Sequence, residues 1–187
     1  MRKQFSCLTP NGLSMANHFE LFNLPVQFTL DGPSLDTAYR EIQRLVHPDR
    51  FVTATEAEKR TALQWAAKAN DAYQTLRHPL KRAAYLCELN GYDLHRETHV
   101  AINPGFLMQQ IEWRETLEQA RETRDLPLLE KLDATQRELR RKQMHAVEDC
   151  LNSKQFGQAV QEIRKMMFLE KFNEEISRVF DELDSAN

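Results

Sequence analysis

Pro48 constrains the fold of this chain more than any other residue, because it interrupts a helical periodicity that is strong on both sides of it. Upstream, Leu35, Ala38, Tyr39, Ile42, Leu45 and Val46 recur at helical spacing, and downstream a second long helical pattern begins near Glu56. A proline disfavours the α conformation in the residue before it, so the first of these helices ends around Val46 or His47. The outcome is a helical hairpin, with His47 and Asp49 held on either side of a rigid ring at its mouth. Only five glycines occur, and no stretch alternates apolar and polar residues for long, so the sequence predicts an all-α protein.

Other punctuation divides the rest. Asn17 with Glu20 forms a capping box for a short helix carrying Phe19, Leu21, Phe22 and Leu24, stopped by Pro25. Asp31-Gly32-Pro33 starts the second helix, with proline suited to the first helical position. Thr55 and Glu58 open a third that runs to about Leu76, its face formed by Leu63, Ala66, Ala69, Asn70, Tyr73 and Leu76. His78-Pro79 opens a fourth, which ends at Asn90-Gly91. Asn103-Pro104 opens a fifth to roughly Glu122. Asp125 and Pro127 start a sixth to about Leu151, and Asn152-Ser153 a seventh that nearly reaches the C-terminus. Short connections between long helices favour antiparallel packing, so the second half reads as a three-helix bundle. The divisions are a leader at 1–16, a first domain at 17–91, a polar linker at 92–103 and the bundle at 104–187.

Charge removes some function classes. Residues 17–91 carry nine basic and nine acidic side chains, and residues 92–187 carry fourteen and nineteen. Neither half has the basic excess that a phosphate backbone demands, which argues against a nucleic-acid partner. No apolar run is long enough to span a bilayer, so no membrane partner is expected. Cys7, Cys87 and Cys150 are odd in number and lack a Cys-x-x-Cys pair, which fits a reducing, cytoplasmic compartment without a cysteine-based metal site. His95 and His99 share a helix-like spacing, but no third ligand stands near them, so neither metal nor cofactor is predicted.

His47 and Asp49 admit three readings. They form an ordinary turn with a capping aspartate, or a general base with its orienting carboxylate, or a rigid docking point. The enzymatic reading lacks parts, since no nucleophile, anion cradle or metal set is recognisable beside them, and no catalytic residue is assigned. The context carries the third. A His47-Pro48-Asp49 tripeptide between two helices, followed by Asn70-Asp71-Ala72-Tyr73-Gln74-Thr75-Leu76 and by Arg82 and Tyr85, resembles the J-domain. That module drives ATP hydrolysis in DnaK-type chaperones. Thr75-Leu76-Arg77-His78-Pro79-Leu80, Arg82-Ala83, Tyr85-Leu86 and Gly91 are similar to one branch, the HscB family of iron–sulfur cluster co-chaperones. Phe106-Leu107-Met108-Gln109-Gln110-Ile111-Glu112-Trp113-Arg114-Glu115 and Arg164-Lys165-Met166-Met167-Phe168-Leu169 resemble segments of that family's bundle. The resemblance covers about 17–187. It is closest to the bacterial type, because no zinc-binding cysteine module precedes the J-domain.

The resemblance implies two partners and no enzymatic activity of the chain itself. His47, Pro48 and Asp49 would dock with Arg40, Arg44 and Arg50 onto an HscA-like chaperone, on a face that Asp36 and Glu41 make less basic than in many J-domains. The fifth helix adds a geometric argument. Phe106, Gln110, Trp113, Leu117 and Ala120 fall in one sector and make a core stripe, while Leu107, Met108 and Ile111 lie roughly 140° around from it. A bundle helix needs one buried face, so the second apolar face is either buried against the first domain or exposed for a partner. By resemblance, an IscU-like iron–sulfur scaffold contacts Leu107, Met108, Ile111, Glu112 and Glu115, with Phe168 from the last helix. The alternative is a J-like adaptor whose bundle binds an unrelated client.

Overall fold

The computed structural model describes residues 17–94 and 104–185. Within them lie α1 (His18–Leu21), α2 (Gly32–Val46), a 3-10 turn (Pro48–Phe51), α3 (Glu56–Arg77), α4 (Pro79–Leu89), α5 (Pro104–Thr123), α6 (Leu126–Asn152) and α7 (Phe156–Ser185). The fold is all-α, with no strand among the described residues. Two compact units divide between Leu89 and Asn90. The leader, His95 and His99 lie outside the described residues.

The starts of the helices follow the capping chemistry. The Asn17 carboxamide oxygen accepts the Glu20 N–H at 3.0 Å, Asp31 accepts the Ser34 N–H at 3.0 Å, and Asp125 accepts that of Leu128 at 2.9 Å. Thr55 and Glu58 complete a reciprocal capping box. Two ends differ from expectation. α1 stops at Leu21, so Phe22 and Leu24 fall in the turn, and α7 starts at Phe156 rather than near Asn152-Ser153. The cause is the same paired closure at both places. Asn23 and Lys154 adopt left-handed φ values of 53° and 56°. Leu24 N–H then bonds Phe19 O while Asn23 N–H bonds Glu20 O, and Gln155 N–H bonds Cys150 O while Lys154 N–H bonds Leu151 O. These C-terminal motifs lack the usual glycine, so the sequence hides them.

In the first unit α2 and α3 form an antiparallel hairpin, with Phe19, Leu35, Val46, Ala69, Ala72, Leu76, Ala83 and Cys87 buried around it. The alanines on α3 let α2 approach closely. α1 is fixed by its buried Phe19, by the His18 ring stacked 4.2 Å from Tyr85, and by the His18 N–H donating to the Tyr85 hydroxyl at 2.9 Å. The buried stripe of α3 is Ala62, Ala69, Ala72 and Leu76. Leu63, assigned to that stripe from periodicity, is instead 70% exposed, because it lies about 100° around the helix from its neighbour Ala62.

The second unit is an up-down-up bundle. α6 and α7 are joined by a tight turn, and α5 runs parallel to α7, as ion pairs Arg114–Glu175 (4.0 Å) and Arg121–Glu182 (2.9 Å) both advance by seven residues. Trp113, Leu117 and Ala120 of α5 are buried and Phe106 is half-buried, as the core stripe predicts. Trp113 stands 6.1 Å from Phe172 and 6.2 Å from Phe106, ring centre to ring centre. Tyr92 and Leu94, read as linker, pack within this unit. The Tyr92 ring lies 5.9 Å from Phe156, and Leu94 O accepts an Arg164 guanidinium N–H at 2.6 Å.

Candidate functional site

Two groups of predicted residues emerge, one in each unit. In the first, α2 ends at His47, whose backbone is extended (φ −60°, ψ 134°), as a residue before proline requires. The chain then tightens into the 3-10 turn, closed by Arg50 N–H on His47 O at 3.0 Å. The Asp49 N–H donates to His47 Nδ1 at 3.3 Å, and the Asp49 carboxylate lies 3.5 Å from the same nitrogen. Both contacts from Asp49 meet the same ring nitrogen, Nδ1. Both side chains are well exposed. The imidazole is therefore oriented by its own turn and faces solvent. Arg50 Nη1 reaches the Arg44 carbonyl at 3.4 Å, one of the last open carbonyls of α2. Arg40 and Arg44 are exposed on α2, with Arg40 also touching Thr37 Oγ1 at 3.3 Å.

The α2–α3 seam sets the direction of this face. Tyr39 stacks on Tyr73 at 4.0 Å and its hydroxyl donates to Asn70 Oδ1 at 3.3 Å, while Gln43 donates to the same hydroxyl at 2.9 Å. The Tyr73 hydroxyl donates to Asp36 at 2.9 Å, and Arg77 reaches the same carboxylate oxygen at 2.6 Å. The hydrogen bond from Tyr73, then that from Arg77, holds the Asp36 carboxyl below the usual carboxylate range. Asp36 is thus already paired within the hairpin, and its charge is offset by Arg77. It also acts on Arg40, a smaller cause of the same lowering, so it still tempers the Arg40–Arg44 face as the sequence suggested.

In the second unit Leu107, Met108 and Ile111 are 45%, 58% and 43% exposed on one side of α5, opposite its buried stripe. Glu112 and Glu115 are exposed beside them. Phe168 is half-buried, and it belongs to the ring ladder. It stacks 6.1 Å from Phe172, stands 5.7 Å from Phe106, and carries the Arg114 guanidinium 5.9 Å from its centre. The seven-residue advance of the α5–α7 ion pairs, carried one step back, places Leu107 across the seam from Phe168. This register brings Phe168 to the edge of the exposed face on geometric grounds. Arg114 flanks the face too, unremarked in the sequence; its spacing from Leu107 was the available signal. Met167 is likewise exposed.

Among the described residues no three His, Cys, Asp or Glu side chains gather closely enough to hold a metal ion, and no helix is long and apolar enough to cross a membrane.

Comparison with known proteins supplies the family. A family model described as the HSCB C-terminal oligomerisation domain matches residues 102–177. A co-chaperone HscB homolog of Burkholderia thailandensis is 47% identical over 168 residues, covering 90% of this chain and 96% of its own. The solved chaperone HscB from Vibrio cholerae superposes with a TM-score of 0.79 at 40% identity, covering 89% of this chain and 99% of its own. Human co-chaperone HscB gives 0.80 at 26% identity, with 90% and 82% covered. A relative at this identity along nearly the whole length of both chains places the chain in the HscB family of co-chaperones.

Proposed function

We propose that this chain is a J-type co-chaperone of iron–sulfur cluster assembly, with one partner for each unit. The first unit triggers ATP hydrolysis in an HscA-like DnaK-type chaperone. His47, Pro48 and Asp49 supply the trigger, and Arg40, Arg44 and Arg50 supply a charged rim. The second unit carries an IscU-like scaffold on Leu107, Met108, Ile111, Glu112, Glu115 and Phe168. The observation that carries this reading is the exposed apolar face of α5, which the bundle core does not use. An unpartnered apolar face beside acidic groups suits a protein partner, and methionine adapts to its contour.

The chemistry is the partner's. A bound chaperone hydrolyses its own ATP, and the chain contributes a preoriented imidazole and carboxylate that lose little freedom on docking. Holding scaffold and trigger on one chain raises the effective concentration of each near the chaperone. No cofactor, nucleic acid or membrane enters this scheme, and the cytoplasm is where it would operate.

Steady-state ATP hydrolysis by an HscA-like chaperone, with and without an IscU-like scaffold, tests it. The full chain is expected to stimulate hydrolysis, and to do so more strongly with scaffold present. Absence of stimulation would remove the J-type role. Stimulation without any scaffold binding would favour an adaptor for another client. A second reading comes from the matched family model, which is described as an oligomerisation domain. The α5 face would then cover a second copy, and sedimentation of the purified chain would reveal a dimer that Met108→Glu disperses.

A further inference from the structure

We infer that Leu63, together with Val52, forms an apolar contact on the face that carries His47, and that its occupant is the chaperone that the turn engages. This rests on the chaperone-docking role proposed above. The two side chains are 70% and 71% exposed, the largest exposures among the large apolar side chains described.

Leu63 is placed by the register of the α2–α3 hairpin. Asp36 meets Tyr73 and Tyr39 meets Asn70, so paired positions rise on one helix as they fall on the other. Continued toward the mouth of the hairpin, the same register sets Leu63 opposite Val46, the residue before His47. The direction around α3 follows as well. Arg77, Asn70 and Leu63 are seven apart, so they share one edge of that helix within a few tens of degrees. Arg77 closes on Asp36 and Asn70 on Tyr39, both across the seam to α2. On α2, helical geometry puts Arg40, Arg44 and His47 on the same flank as Asp36 and Gln43. The third position of the α3 edge therefore lies level with the turn and on its side, yet holds an exposed leucine in place of a polar group paired to α2. Val52 follows the turn by one residue after Phe51.

An exposed leucine level with the turn, with Arg40 and Arg44 on the neighbouring flank of α2 and Arg50 in the turn itself, gives an apolar centre with a charged rim to one side, as protein interfaces have. Its continuity with the turn identifies the occupant. A partner that reaches His47 and Arg44 together must come within side-chain reach of Leu63. The rim steers the encounter and the leucine slows release.

The test uses the full chain with Leu63→Gln, Val52→Ser and, as the size-preserving control, Leu63→Met. Glutamine is nearly as good a helix former as leucine, so helicity and unfolding midpoint are expected to hold. The chaperone concentration for half-maximal ATPase stimulation is expected to rise about tenfold in Leu63→Gln and a few-fold in Val52→Ser, and to stay near wild type in Leu63→Met. Maximal stimulation is expected to be retained, since the trigger is intact. Unchanged half-maximal concentration in Leu63→Gln, alongside normal wild-type stimulation, would overturn this inference alone. A wild-type chain that neither binds nor stimulates the chaperone would overturn the parent reading and this one with it. A wild-type dimer dispersed by Leu63→Gln would give the face to a second copy and overturn the assignment to a chaperone.

Discussion

The two helical seams of this protein follow one plan and end in different chemistry. Along α2–α3, Asp36–Arg77 and Tyr39–Asn70 are polar rungs, and the next step toward the turn is apolar. Along α5–α7, Arg121–Glu182 and Arg114–Glu175 are polar rungs, and the next step is Leu107 with Phe168. In each unit the candidate site lies where the polar rungs give out. What differs is the neighbouring surface. The first seam closes on a short turn whose backbone fixes an imidazole and a carboxylate, and the second continues as a smooth helix face bearing exposed apolar side chains. A directed polar group acts in an all-or-none manner, since one displaced atom loses the hydrogen bond. An apolar face acts through area and loses affinity in steps. The comparison therefore predicts a sharp response to mutation in one unit and a graded one in the other.

The sharpest expected effect is at His47. His47→Gln keeps a polar side chain at the end of α2 and removes the imidazole. The far-UV spectrum and scaffold binding are expected to remain, and stimulation of the chaperone ATPase is expected to vanish. Stimulation at the wild-type level in this variant would break the distinction at its first term, leaving the turn as a simple helix connector.

Next comes the contrast of face and core in the second unit. Truncating Leu107, Met108 or Ile111 opens no cavity, because each already meets solvent. The cost in stability is expected to be below about 1 kcal/mol apiece, against about 3–5 kcal/mol for Trp113→Ala in the buried ring ladder. Scaffold affinity should fall stepwise by about 1–4 kcal/mol for the strongest anchors. Phe168→Ala is expected to do both, since the ring is half-buried against Phe172 yet stands at the edge of the face. Denaturant midpoints and scaffold titrations on the same five variants separate these outcomes. An early unfolding midpoint for the Leu107, Met108 and Ile111 variants would mean that the exposed face is structural.

The sequence made one site far more legible than the other. His47-Pro48-Asp49 is a local signal, because proline dictates both the end of α2 and the turn after it. The α5 face was legible through periodicity, since two apolar stripes on one helix cannot both serve a three-helix core. Phe168 was beyond such reasoning. Its position depends on the register between α5 and α7, which only packing establishes. Leu63 was misread for a related reason: a stripe of alanines leaves little hydrophobic contrast, so a leucine next to it in sequence looked like its continuation. The end of α1 and the start of α7 were misjudged because Asn23 and Lys154 adopt a left-handed turn normally given to glycine. Asp36 looked like a free surface charge, and its pairing with Tyr73 and Arg77 spans about forty residues of chain.

A third prediction concerns polar groups in the two cores. Those of the α2–α3 seam are paired, but Gln136 is fully buried on the inward face of α6, and its carboxamide has no hydrogen-bond partner among the described residues. An unsatisfied buried amide costs about 1–3 kcal/mol, and leucine fills nearly the same volume. Gln136→Leu is expected to raise the denaturant midpoint by that order while leaving ATPase stimulation unchanged. A lowered midpoint would reveal a buried water bound to the amide, which the leucine would displace.

The smallest expected effect probes the first seam itself. The Asp36 carboxyl is held below its ordinary value of 3.8 by the Tyr73 hydroxyl and the Arg77 guanidinium, and Arg77 is raised in turn, first by the same hydrogen bond. A depressed carboxyl contributes stability that is present above its unfolded pKa and lost as pH falls through the lower folded one. Asp36→Asn removes that contribution, so the variant should be less stable than wild type near neutral pH. The gap should close as pH drops below about 4, where the wild-type carboxyl also becomes neutral. Because the pair is solvated, the gap is expected to shrink at high salt too. Other carboxylates titrate in the same range, Glu58 and Glu138 among those with lowered pKa, but they are common to both proteins and cancel in the difference. Urea midpoints for the two proteins at several pH values give that difference directly. A gap of constant size from neutral to strongly acidic pH would mean that the asparagine disturbs packing at Tyr73. The seam would then be held by its stacked rings, and its polar rungs would serve only to fix register.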